Sequence, residues 1–197
     1  MWSHQLMAVG RAMAIVLLAS SSADAQTQTP APAQTQTPPP PQTMSTTIAP
    51  WWRMIEYSFV SAAEEMPADR WSFKPSGGTF EKARTFAQQV KHVACSNEGF
   101  FNEIAHKDPP PDCENGGPNP AQTKDELLAY LRTSFERGRQ AIAELTPANA
   151  LDYAGGRYGG DSTRLGLITL AVWHASDHYG QLVIYLRMNN IVPPASR

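Results

Sequence analysis

The sequence predicts an all-α protein, an up-and-down four-helix bundle. Two observations predict this fold class. Beyond residue 47, four long segments carry apolar residues at the three- to four-residue spacing of a helix that buries one face. Proline and glycine clusters separate these segments, and the chain contains no convincing β-strand pattern.

The first segment spans residues 50–66. We expect Thr47 to cap its start and Pro50 to lie in its first turn, where a missing N–H is tolerated. Its apolar residues recur at helical spacing: Trp51, Ile55, Phe59, Ala62 and Ala63. Trp71 and Phe73 follow in a linker, and we expect both to pack on the bundle.

The second segment spans residues 80–106, and the third spans residues 124–145. The second has an apolar stripe: Phe86, Val90, Val93, Phe101 and Ile104. The third opens with Thr123 and Glu126, which have the spacing of a capping box. In that motif the two residues satisfy each other's free backbone N–H groups, so a helix is expected to begin there.

The fourth segment, residues 162–190, is apolar on almost all sides, so we expect it in the middle of the bundle. Its apolar residues include Leu165, Leu167, Ile168, Trp173, Leu182 and Ile184. Residues 155–160, which precede it, are glycine-rich but lack the pattern of a phosphate-binding loop. We expect them to form a mobile connection.

The N-terminal quarter predicts export. Residues 1–25 resemble a secretory signal peptide, with a positive charge at Arg11, a short apolar run and the cleavage pattern Ala23-Asp24-Ala25. The run is too short to span a bilayer, so we expect cleavage rather than a retained anchor, and no stable membrane span afterwards. Residues 26–47 are uncharged and rich in Pro, Gln and Thr, which predicts a disordered linker. Residues 48–197 are then the folded domain of a periplasmic or secreted protein.

The composition excludes several classes of function. The formal net charge is −2, so no basic field attracts nucleic acid, and we expect no nucleic-acid partner. Two cysteines cannot build an all-cysteine zinc site or a disulfide-dense scaffold. Cys95 and Cys113 leave three alternatives open: a disulfide, two unbridged thiols, or a metal-ligand or reactive role for Cys95.

Three histidines predict a metal centre. His174 and His178 are one helical turn apart, so both imidazoles lie on one face and can reach one ion. His92 of the second segment is the best candidate for a third ligand, whereas His106, at a helix end, is expected in solvent. His92 lies about 120° from the apolar stripe of its segment. Either that helix is buried on two sides or His92 is a surface residue, and the spacing of the pair could arise by chance.

The order of the segments, the single histidine inside the second helix and the ending His174-Ala-Ser-Asp-His178-Tyr-Gly-Gln resemble the DinB/YfiT-like superfamily over residues 48–196. The resemblance implies a four-helix bundle, commonly a homodimer. It also implies a divalent metal ion (zinc, nickel or similar) held by one histidine of the second helix and two of the last. In this chain these are His92, His174 and His178.

The resemblance also implies chemistry on a small molecule of unknown identity. Characterised branches include thiol S-transferases and isomerases, but their thiol cofactors are cytoplasmic, whereas export favours a metal-dependent hydrolase. Glu98 and Asp177 are the candidate bases, and no catalytic residue is assigned. The alternative is a non-catalytic, dimeric binding or stress-response module with a structural metal, in which Cys95 could close the coordination sphere.

Overall fold

The computed structural model describes residues 40–76, 78–79, 81–108, 110 and 122–197. Within these ranges the predicted all-α four-helix bundle is confirmed, and no strand is present. The four helices are α1 (Met44–Glu65), α2 (Phe86–Ile104), α3 (Lys124–Ala143) and α4 (Arg164–Met188). The predicted signal peptide, most of the predicted linker and Cys113 lie outside the described residues.

Each of the four helices begins after a threonine. The side chains of Thr43, Thr85, Thr123 and Thr163 each accept a hydrogen bond from the backbone N–H three residues further on. Such a cap satisfies one of the N–H groups that the first helical turn leaves free. The predicted capping box of Thr123 and Glu126 is confirmed, because Glu126 in turn accepts from the Thr123 N–H at 2.9 Å.

The predicted start of the first helix was wrong. Thr43, not Thr47, caps α1, because Thr43 and Thr46 form a reciprocal capping box of their own. Pro50 consequently lies inside the helix rather than in its first turn. Both Pro50 and Thr46 are exposed, so water can satisfy the Thr46 carbonyl that lacks a helical donor.

The second helix also starts later than residue 80, where its segment was predicted to begin. A capping box between Thr85 and Gln88 sets the first residue at Phe86. Trp71 and Phe73 pack on the bundle, as predicted. The indole of Trp71 is buried and donates to the Met66 carbonyl at 2.9 Å, and Phe73 packs edge-on against Tyr185.

The helices run up, down, down and up, which refines the up-and-down arrangement. Lys124, at the start of α3, donates to the carbonyls of Glu64 and Met66 near the end of α1, so these two helices are antiparallel. Helix α1 packs against α3 and α4, and α2 packs against the same two helices. The first two helices therefore occupy opposite corners of the bundle, although they are consecutive in the chain.

Helices α2 and α3 are parallel neighbours. Asn97 donates to Ser134 at 3.3 Å, and Arg137 donates to Asn102 at 3.2 Å, so positions increase together along both helices. Parallel neighbours start at the same end of the bundle, which requires a long connection, and residues 105–123 separate these two helices.

The core contains an aromatic cluster of α1, α2 and α3. In it, Trp52 of α1 contacts both Phe101 of α2 and Phe135 of α3. The buried Trp52 indole donates to the Phe135 carbonyl at 3.0 Å. The prediction of Trp51 as a core residue was wrong, since Trp51 is 59% exposed and Trp52 is 0% exposed. Both positions have helical spacing to Ile55, so periodicity could not separate them.

Helix α4 occupies a corner of the bundle. The expectation from its composition, that it lies in the middle of the bundle, was therefore wrong. Trp173, Ile184 and Met188 lie on its exposed side. A corner helix contacts two neighbours and turns its remaining surface outward, whatever the residues there. Among the described residues, no helix combines the length and apolar character that crossing a membrane requires.

The glycine-rich loop is more ordered than predicted. Gly156 and Gly160 exchange backbone hydrogen bonds of 3.0 and 2.9 Å, and Gly160 has a positive φ of 59°. Glu103 of α2, which is 5% exposed, accepts from the backbone N–H groups of Tyr158 at 2.6 Å and Gly159 at 2.9 Å. A buried carboxylate therefore anchors this connection to α2, in place of the mobile loop that was expected.

Candidate metal centre

The site lies on the seam between α2 and α4. These helices are antiparallel neighbours, which brings His92 of α2 to the level of His174 and His178 of α4. The two α4 histidines follow each other by one turn and therefore share a face. The three histidines that the sequence selected are thus brought together, while His106 is exposed, as expected.

One ligating atom from each of the three side chains lies within 4.8 Å of the other two. The Nε2 atoms of His92 and His174 are 3.2 Å apart. Two nitrogen ligands of a tetrahedral zinc ion are separated by roughly 3.3 Å when each Zn–N distance is about 2.0–2.1 Å. The spacing of this pair therefore fits a shared ion, and in the metal-free chain it also allows one imidazole–imidazole hydrogen bond.

The packing around α2 explains how His92 can face the site although it lies about 120° from the apolar stripe of its helix. Thirteen residues of α2 are buried, and they cover more than one face of the helix: Phe86, Gln89, Val90, Val93, Ala94, Cys95, Ser96, Asn97, Gly99, Phe100, Phe101, Glu103 and Ile104. The anchored glycine loop, α3 and α4 all pack on α2. The helix is buried on more than one side, so a residue at the edge of its apolar stripe still faces another helix.

Burial keeps the imidazoles neutral. Desolvation is the largest cause, and it lowers the pKa of His92 to about 3 and that of His174 to about 4. The pKa of His178 is lowered for the same reason. The nearby Arg84 charge lowers the pKa of all three, whereas Asp177 acts in the opposite direction on His174 and His178. Neutral imidazole is the form that binds a metal ion.

The donor set fits a divalent metal ion. Three imidazole nitrogens suit zinc, nickel and similar ions better than calcium or magnesium, which prefer oxygen. The Nδ1 atoms of His92, His174 and His178 are buried and have no hydrogen-bond partner among the described residues. The hydrogen bonding of these three rings is therefore incomplete among the described residues.

Polar residues that the histidine search did not select line the same seam. Gln89 of α2 donates to Gln181 of α4 at 2.6 Å, and Gln181 donates to Asp177 at 3.0 Å. Gln89 is 3% exposed, and its Oε1 atom has no partner among the described residues. A signal was present in the sequence, because Gln89 precedes His92 by three residues and so shares its face.

Two residues that the sequence offered for the site, Glu98 as a base and Cys95 as a ligand or reactive thiol, are bonded to other groups. Glu98, a candidate base, accepts from the Tyr130 hydroxyl at 2.7 Å and pairs with Arg137 at 3.4 Å, both on α3. Cys95 is disulfide-bonded, so its sulfur is not free to ligate a metal ion or react as a thiol. Asp177 remains beside the histidines, on α4.

Comparisons with known proteins agree with this architecture. The model of the DinB superfamily matches residues 53–182, a range that includes all three histidines. A crystal structure of a conserved protein from Enterococcus faecalis is similar, with a TM-score of 0.56 and 15% sequence identity, covering 73% of this chain and 95% of that one. No curated protein matches the chain significantly. Since the family model covers more than half of the sequence and the fold agrees, the chain belongs to the DinB superfamily.

Proposed function

We propose that this chain is an exported DinB-like protein that binds one divalent metal ion through His92, His174 and His178. Its function is that of a metal-dependent hydrolase or thiol-handling enzyme that acts on a small molecule. The observation that carries the proposal is the convergence of one ligating atom from each of three imidazoles within 4.8 Å, where His178 is buried and His92 and His174 are half-buried. A structural role for these side chains alone is a poor account, because it gives no reason for three imidazoles from two helices to converge on one point.

Three protein ligands match the open arrangement of catalytic zinc sites, whereas structural sites have four. When bound, a divalent ion supplies electrophilic polarisation and activates a nucleophile such as water or a thiol. The chain's own residues hold the ligands in place. Phe100 packs edge-on against the His174 ring, and the Gln89–Gln181–Asp177 chain of hydrogen bonds ties α2 to α4 beside His178.

A non-catalytic module with a structural metal is the alternative function. In that reading Cys95 was the best candidate for a closing fourth ligand. Its participation in a disulfide removes this candidate and favours an open coordination position. A disulfide also agrees with export, because disulfides persist in oxidising compartments such as the periplasm.

A homodimer is part of the proposal. Trp51 on α1 and Trp173, Ile184 and Met188 on α4 are large apolar residues exposed on two helices that contact each other. Contiguous exposed apolar surface is typical of protein–protein interfaces. A second copy of the chain packed on α1 and α4 would cover these residues.

Metal content and turnover test the proposed function together. Protein purified from the periplasm without chelators is expected to hold about one divalent ion per chain. His174→Ala should lose that ion and any turnover found in a panel of ester, amide and thiol-transfer substrates. The matched control is His106→Ala, which removes an exposed histidine outside the cluster.

The outcomes separate the alternatives. A metal-free wild-type protein with full stability would overturn the metal site. If His174→Ala lowers the melting temperature but leaves every measured turnover unchanged, the metal is structural and the non-catalytic function stands.

A further inference from the structure

The seam between α2 and α4 continues past the histidines toward the start of α2. Beyond His92 and His178 comes the hydrogen-bonded pair of Gln89 and Gln181. Beyond that pair, the hydroxyl of Tyr185 donates to the backbone carbonyl of Arg84 at 2.9 Å. The two helices therefore hold Arg84 on the same seam as the metal-binding cluster.

Arg84 is a half-buried cation. Among the described residues, no side-chain hydrogen bond and no ion pair includes it. No nitrogen of Arg84 is among the buried side-chain atoms that lack a partner, so the guanidinium group keeps contact with solvent and can bind an anion. Tyr185, which donates to the Arg84 carbonyl, follows His178 by seven residues, so both side chains lie on one face of α4.

The charge balance of the occupied site is positive. Neutral imidazoles do not offset the charge of a divalent ion, which becomes the largest local charge in the site. Asp177, which accepts a hydrogen bond from Gln181, offsets part of that charge. A bound divalent ion would leave the site with a net positive charge, which favours an anionic ligand.

A buried acceptor lies between Arg84 and the histidines along the seam. The Oε1 atom of Gln89 has no hydrogen-bond partner among the described residues, although this side chain is 3% exposed. A buried acceptor of this kind requires an explanation, and a bound molecule with a donor group is one.

We infer that the site takes a small molecule that carries an oxyanion group, a carboxylate or a phosphate, and that Arg84 binds this group. The planar guanidinium fork matches the two oxygens of such a group. The inference deepens the proposed function and rests on it for the reacting centre. The oxyanion lies on Arg84, the donor group of the molecule meets Gln89, and the bond to be changed lies toward the histidines.

The test is a titration of 15N-labelled full-length mature protein, followed by NMR through the Nε–Hε signals of arginine. Acetate and methylphosphonate are the anionic probes, and acetamide is the neutral shape-matched probe. Zinc is diamagnetic, so the same titration works on metal-free and zinc-loaded protein. The variants are Arg84→Gln and Arg84→Lys, with Arg53→Gln as the control, because Arg53 is exposed and also loses one positive charge.

We expect saturable binding of at least one anionic probe to the wild-type protein and to Arg53→Gln, with a shift of the Arg84 signal. Loss of a charge-assisted contact should weaken binding to Arg84→Gln by roughly tenfold or more. Arg84→Lys should fall between them, and acetamide binding should not depend on Arg84. The anion that binds more tightly identifies the oxyanion group.

Equal anion affinity in Arg84→Gln and Arg53→Gln would overturn the inference, and so would the absence of saturable anion binding. Failure of zinc to bind would contradict the proposed function instead. In that case the metal-free titration still decides the role of Arg84.

Discussion

The Nε2 atom of His92 lies 3.2 Å from the Nε2 atom of His174, although the two residues are 82 positions apart in the chain. This contact depends on the antiparallel packing of α2 against α4, and it places three titratable side chains at that interface. The cluster makes the stability of the metal-free protein sensitive to pH.

The free energy of unfolding of the metal-free chain should decrease as the pH falls below 6.5. The pKa values of His92 and His174 in the folded chain, about 3 and about 4, lie below the ordinary histidine value of 6.5 because burial disfavours the charged imidazole. The unfolded chain therefore binds more protons than the native chain between pH 6.5 and pH 4, and the stability present above that window is lost on acidification. Urea unfolding at pH 7.5, 6.5 and 5.5 with a chelator measures this dependence.

His92→Gln should flatten the pH dependence, whereas His106→Gln should not, because His106 is exposed. Identical slopes for the wild-type protein and His92→Gln between pH 7.5 and pH 5.5 would contradict the prediction.

Gly138→Ala should destabilise the bundle. A Cβ atom at residue 138 of α3 would lie 2.3 Å from the Trp52 ring, whose indole is held by the Phe135 carbonyl. Overpacking of this kind costs about 1–3 kcal/mol of the free energy of unfolding. Gly180→Ala is the matched control on α4, since no atom lies within 4 Å of its added Cβ. Urea denaturation should show a loss for the first variant and none for the second, because alanine favours a helix.

Glu103→Gln should loosen the glycine loop. The carboxylate accepts from two backbone N–H groups, and an amide retains one acceptor while turning its NH₂ group toward the other N–H. We expect a loss of about 1–3 kcal/mol and faster amide exchange at Tyr158 and Gly159. Glu144→Gln, an exposed residue at the end of α3, is the control. Unchanged protection of both amides would show that the loop does not depend on the carboxylate.

Reduction should destabilise the protein without releasing metal. Cys95 is disulfide-bonded, so unreduced protein in denaturant should show no free thiol, and reduced protein should show both cysteines. Opening a disulfide loop of about 15 residues lowers the free energy of unfolding by about 3 kcal/mol in the chain-entropy model. Metal content should be the same before and after reduction, because the sulfur is not a ligand. Loss of metal on reduction would favour a closed site supported by Cys95.

Local chemistry was sufficient to predict the helices and the identity of the candidate ligands. The Thr123–Glu126 capping box, the apolar spacing of four segments and the one-turn spacing of His174 and His178 are all properties of nearby residues, and short-range interactions govern them. His92 was already the best candidate for the third ligand from the residues, and the family resemblance supported it. The sequence could not show which of Trp51 and Trp52 is buried, because both have helical spacing to Ile55.

Only the tertiary structure decided which surfaces face each other. Helix α4 is apolar all round, but its place at a corner of the bundle leaves Trp173 exposed. Helix α2 is buried on several sides, which turns His92 inward even though it lies off the apolar stripe. The contacts of Gln89 with Gln181 and of Arg84 with Tyr185 exist because α2 packs against α4, and local spacing does not reveal these partners. Periodicity describes one helix at a time, whereas a site shared by two helices depends on which neighbour each of them buries.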